Sequence, residues 1–186
     1  MPAPLFLGET MNGLLILGGA NCVWNDLTQV DEVNYDVMAI NDMGCMYDGH
    51  LRFMVSLHPD KFYQCDPFWA QTRIEKKLND DFDIISCCAH SDKKRYGITG
   101  NLCLDNICGT SGLYAVRVGI HFKYENIVLA GIPLDALHGN IANNNWHISR
   151  DLTGEKQAWR RYLPQLKGRV VSLSGWTKRL FDGEKV

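Results

Sequence analysis

The residues able to do chemistry fall in short polar stretches, each following an apolar run. "NNNWHISRD" holds His147 in a polar loop just ahead of a helical pattern. An exposed imidazole titrates at about 6.5, which suits taking a proton from a hydroxyl at neutral pH. Arg150 and Asp151 stand close enough in sequence to orient it, although a surface histidine is the commoner case. "GTSG" places Thr110, Ser111 and Gly112 at the mouth of a helix. A hydroxyl there caps an orphan N–H, and a glycine in a first turn suggests that something lies close to the backbone. Capping alone and capping plus a bound phosphate or nucleotide both fit this segment. "LGGANCVW" offers Gly18 and Gly19, which permit a sharp turn, and Asn21 as a helix cap. A helix beginning there would turn free N–H groups toward an anion, yet a plain structural turn fits equally well. "AINDMG" ends in Asn41 and Asp42, and "SLHPDKF" carries His58. Asp135 and His138, in the stretch after the fifth apolar run, are further acidic and lid groups.

These groups need a scaffold. Five apolar runs stand out, at 13–19, 35–41, 51–59, 82–88 and 126–131, with a weaker sixth at 168–174. They are continuous rather than alternating, the pattern of strands buried on both faces in a parallel sheet. Helical patterns cover 24–33, 60–79 (broken near Pro67), 111–124 and 154–166. Alternating strands and helices predict an α/β fold, doubly wound and Rossmann-like, with a mainly parallel sheet of about six strands in one domain over 1–186. Two long polar stretches, 89–106 and 133–151, fit no element. In an open α/β sheet, ligands bind beyond the carboxyl ends of the strands, so both stretches are expected at that rim.

Composition excludes several classes. The chain has 186 residues, 46% hydrophobic and 22% charged, with a net charge of -2. That balance disfavours bulk nucleic-acid binding, and the basic clusters at 93–96 and 159–162 read as solvated faces, with anion holding as the alternative. Seven cysteines show no metal spacing and an odd count, so most read as small buried side chains in a reducing compartment. No run reaches membrane-spanning length, and the first residues lack the features of a signal peptide. A cytoplasmic location is expected. "FYQCDPFWAQ" carries aromatics that suit either a core or the face of a homo-oligomer.

"GTSGLYAVRVGIHFKYENIVLAGIPLD" resembles the "TSG…GY-x-x-I-x-L-x-G-I-D" segment of bacterial CMP-sialic acid-dependent sialyltransferases. A broader Rossmann-like group, including an archaeal-type pterin pyrophosphokinase, shares the look. The likeness continues in order along most of the chain. "LILGGAN" is similar to the family's first strand and phosphate loop, "AIND" and "SLHP" to two strand ends whose Asn holds the nucleotide, and "NWHISRD" to the loop with the catalytic base. The resemblance implies nucleotide contacts at Gly18, Gly19, Asn21, Asn41, His58, Thr110, Ser111 and Gly112, with His147 as the base. It implies no cofactor and no metal, the nucleotide-sugar donor being a substrate. The sequence departs from the family at Gly19 and His58, each in place of Asn, and at Pro133, in place of Asp. It also lacks two lid tyrosines that assist the leaving phosphate.

The function implied is transfer from a nucleotide-activated, CMP-linked sugar. A pyrophosphokinase or phosphohydrolase on the same scaffold is the alternative and would need a divalent metal, with Asp42 and Asp135 as its carboxylates. A non-catalytic ligand-binding protein is the third reading.

Overall fold

The computed structural model describes residues 13–64, 68–88, 92–104, 110–135, 137–140 and 151–186. Seven strands form one sheet: β1 (Gly13–Leu17), β2 (Tyr35–Ile40), β3 (Phe53–Ser56), β4 (Asp83–Ser86), β5 (Gly100–Asn101), β6 (Ile127–Ala130) and β7 (Val170–Ser172). Their order is β5-β4-β3-β2-β1-β6-β7, and every pairing is parallel. The strands from β1 to β5 run outward on one side, and the chain then returns to lay β6 on the other side of β1. The boundary between β1 and β6 is therefore the topological switch point.

Continuous apolar runs become strands here because both faces of the sheet are covered. Leu14 and Ile16 face one layer and Leu15 and Leu17 the other, and all four are fully buried. One layer holds the helices α4 (Ser111–His121), α5 (Thr153–Leu166) and α6 (Gly175–Asp182), through Leu113, Trp159 and Trp176 among others. The opposite layer holds α1 (Val23–Leu27), α2 (Met43–Met46) and α3 (Trp69–Glu75). Burying such side chains stabilises the fold by roughly 1.5–3 kcal/mol apiece, before the entropy of ordering them is counted.

The expected fold class stands, and the structure adds three elements that the sequence pattern did not predict: the single turn α2, β5 and α6. β5 lies within 89–106, the first long polar stretch, and extends the sheet at its far edge. The described residues of that stretch do not line the cavity found at the strand ends. α6 follows β7 directly and packs Trp176 and Leu180 into the core. Phe62 and Trp69 belong to the core, set edge-on to each other at 6.0 Å, and Tyr63 packs partly buried against it.

The cysteine reading needs a correction. Cys87 and Cys103 form a disulfide, their Cα atoms 4.6 Å apart. Pairing of β5 beside β4 brings the two together across 16 residues of sequence, a proximity that spacing alone does not reveal. No described helix is long and apolar enough to cross a membrane.

Candidate functional site

A cavity of about 460 Å³ lies beyond the carboxyl ends of β1, β2, β3 and β6. It falls within the usual range for small-molecule sites and straddles the switch point, where an open α/β sheet binds ligands. Of the expected site residues, Gly18, Gly19, Asn41, Asp42, His58, Thr110, Ser111, Gly112, Asp135 and His138 all line it. Asn21 does not: it is exposed, and its N–H donates to the Gly139 carbonyl at 2.7 Å. His147 and Arg150 lie outside the described residues.

The β1 end is closed by the chain itself. Gly18 donates to the Ala130 carbonyl at 2.8 Å, and Ala20 to that of Gly131 at 3.2 Å. α1 has only five residues, and Cys22 rather than Asn21 stands at its cap position. The expectation of free N–H groups at this turn is narrowed, since the amides of Ala20, Asn21 and Val23 already have carbonyl partners. Its glycines serve packing. A side chain on Gly18 would collide with the Gly131 carbonyl, and one on Gly19 would crowd Asn140 and Asp42. Gly131 has φ +67° and would meet the Gly18 carbonyl in the same way.

Behind this turn sits a buried carboxylate that sequence reading missed. Asp26 is 1% exposed and accepts from the Gly131 N–H and the Ser174 hydroxyl, both at 2.8 Å. The Cys22 thiol lies 3.3 Å from the same hydroxyl. Burial pushes that thiol up to about 11, which favours its neutral form.

The α4 start is built differently. Thr110 Oγ1 accepts from the Leu113 N–H at 3.3 Å, the N-cap that the sequence predicts. The N–H groups of Ser111 and Gly112 belong to the first turn, where a helix supplies no partner of its own. An 11-residue helix also directs the positive end of its dipole there. The neighbours that Gly112 accommodates are Ile132, the Thr110 hydroxyl and Trp159, so its missing side chain answers to packing as well as to the cleft.

Asn41 takes up a left-handed backbone, φ 54°, where β2 leaves the sheet. Asparagine tolerates that conformation better than most residues. Its Oδ1 accepts from the Ser56 hydroxyl at 2.7 Å, while Ser56 Oγ accepts from the His58 N–H at 2.9 Å. This relay fixes the amide so that its NH₂ is the group left to donate to a ligand. Asp42 accepts a hydrogen bond from Asn140, yet burial raises its carboxyl above the ordinary value.

None of the described lining residues is Lys or Arg. Arg95 instead bonds Gln64 at 2.8 Å, and Arg160 bonds the Val186 carbonyl at 2.7 Å, so neither basic cluster reaches the cleft. Asp151 stands just ahead of α5 and accepts from the Thr153 N–H at 2.9 Å. Hydrogen bonds from Thr153 hold its carboxyl below the usual range. Among the described residues, no three His, Cys, Asp or Glu side chains gather as a metal site.

No protein-family model and no curated protein matches the sequence. Two solved structures share its fold. One is the monofunctional α-2,3-sialyltransferase Cst-I from Campylobacter jejuni, with TM-score 0.65, 16% identity, and 94% of this chain and 80% of that one covered. The other is the sialyltransferase CstII from the same organism, solved with a substrate analogue, cytidine-5'-monophosphate. Its TM-score is 0.57 at 13% identity, covering 90% and 82% of the two chains.

Proposed function

We propose that this chain is a glycosyltransferase-like enzyme that takes a CMP-linked sugar as donor and works without a metal. The observation that carries the reading is the cleft at the switch point, with the unclosed start of α4 on its wall. A nucleotide phosphate is accommodated there by first-turn N–H groups and by the hydroxyls of Thr110 and Ser111. The Asn41 NH₂ donates to the nucleotide from the β2 side. Asp42 repels phosphate but accepts from hydroxyls, so it belongs at the sugar end. The fold shared with a sialyltransferase solved with CMP supports the choice of nucleotide. An acceptor hydroxyl attacks the anomeric carbon, the bond to phosphate breaks, and a histidine takes the proton. His147 is the residue that the sequence resemblance offers for that step.

The test is calorimetry with CMP, UMP, GMP and ATP, followed by turnover of CMP-linked sialic acid with and without a chelator. CMP is expected to bind most tightly, with turnover unaffected by the chelator. Turnover abolished by the chelator overturns the metal-free reading in favour of a metal-dependent nucleotide enzyme. No binding of any nucleotide leaves a scaffold without this chemistry.

A further inference from the structure

Asp135 and His138 stand three residues apart on the segment that leaves β6 for the cleft. Asp135 Oδ1 lies 2.7 Å from His138 Nδ1 and also accepts from the Leu137 N–H at 3.0 Å. The two side chains are 12% and 28% exposed, and both residues line the cavity. The carboxylate is clamped from behind as well. Its Oδ2 packs so closely on Gly175, at the start of α6, that a side-chain carbon there would lie 2.5 Å away. Trp176 at that helix start donates its N–H to the Pro133 carbonyl at 2.7 Å, fixing the same segment. On the other side of His138, the Gly139 carbonyl accepts from Asn21, and Asn140 forms an antiparallel bridge with Ala20.

A carboxylate accepts hydrogen bonds and cannot donate them, so in the neutral ring the proton sits on Nδ1. Nε2 is then the acceptor, on a ring whose orientation is set by a partner and by backbone on both sides. That is the arrangement of a general base with its positioning carboxylate.

We infer that His138, held by Asp135, is the proton acceptor for the attacking hydroxyl; this rests on the donor-binding reading above. The acceptor oxygen uses a lone pair to form its bond to the anomeric carbon. The anomeric C–O bond to phosphate breaks, and its electron pair leaves with CMP. The hydroxyl proton passes to His138 Nε2, and Asp135 stabilises the resulting imidazolium. Asp135 is a positioning residue that acts through the ring. With water as the nucleophile, the same step hydrolyses the donor.

The test uses the full chain with CMP and CMP-linked sialic acid. His138→Ala is expected to lower turnover by about 10²-fold or more, to keep its CMP affinity, and to regain part of the rate with added imidazole. Asp135→Asn is expected to lower kcat by about tenfold or more while leaving KM for the donor unchanged. Retained CMP affinity in both variants shows that each is folded. Wild-type turnover that survives His138→Ala intact but is lost in His147→Ala overturns this assignment and leaves the donor-binding reading standing. A wild-type chain that neither binds CMP nor turns over the donor overturns both.

Discussion

The two strand-to-helix junctions that flank the cleft look alike in sequence and differ in structure. "LGGANC" and "GTSG" both put small residues at the mouth of a helix. At the first, the amides of Gly18, Ala20, Asn21 and Val23 donate to carbonyls of the chain, which also fills the space that its glycines leave. At the second, a capping hydroxyl serves one N–H of an 11-residue helix, and the first-turn residues Ser111 and Gly112 line a cavity. A glycine-rich turn therefore marks a binding site only where its donors are not already used. Where they are, the glycines record a close approach of two backbones.

Mutations should separate the two junctions. Gly131→Ala strikes the closed one: it forces a side chain into a positive φ and against the Gly18 carbonyl. A loss of about 3 kcal/mol or more is expected in urea denaturation. An unchanged midpoint would show that the β1 and β6 ends can part, and would break the contrast. Thr110→Ala strikes the open one. Losing the cap costs about 1 kcal/mol, and calorimetry should show CMP affinity falling by about tenfold if the phosphate sits there. A loss of stability with affinity intact would reduce that junction to a cap.

Asp42→Asn should have the smallest effect, and its sign is set by pH. Burial raises the Asp42 carboxyl in the folded state, so its protonated form is favoured there. The stabilisation from that protonation is present below the unfolded-state value and is lost as pH rises through the folded-state value. The neutral variant should therefore melt slightly higher than wild type at pH 7, with the gain disappearing on acidification. A gain independent of pH would place the effect in packing against Asn140 and Gly19 instead of in charge.

Much of the scaffold was legible because burial on both faces of a parallel sheet leaves continuous apolar runs, as at 13–17 and 127–130. β5 was not, because a Gly-Asn pair at a sheet edge carries no such run. α6 was hidden by its brevity, its inward face being Trp176, Thr177 and Leu180 with Phe181 packed beside them. Strand-end positions such as Asn41, Asp42 and His58 could be placed at the cleft because the topology itself delivers them there. What occupies each donor could not be read, since that depends on partners distant in sequence. The Asp26 carboxylate accepting from Ser174 and the Gly139 carbonyl accepting from Asn21 are examples. The Cys87–Cys103 bond escaped for the same reason. Asp135 and His138 did carry a local signal, an Asp and a His three residues apart just past a strand-ending glycine.

Asp26 reaches from α1 to the amide of Gly131 and to Ser174, while Thr177 Oγ1 donates to the Ile132 carbonyl. The final helix is thereby wired to the floor of the cleft. Loosening Asp26, Ser174 or Thr177, none of which lines the cleft, would be felt first as wandering of the 131–135 backbone. An engineer wishing to retune this cleft could begin at the back of the molecule, leaving the front untouched.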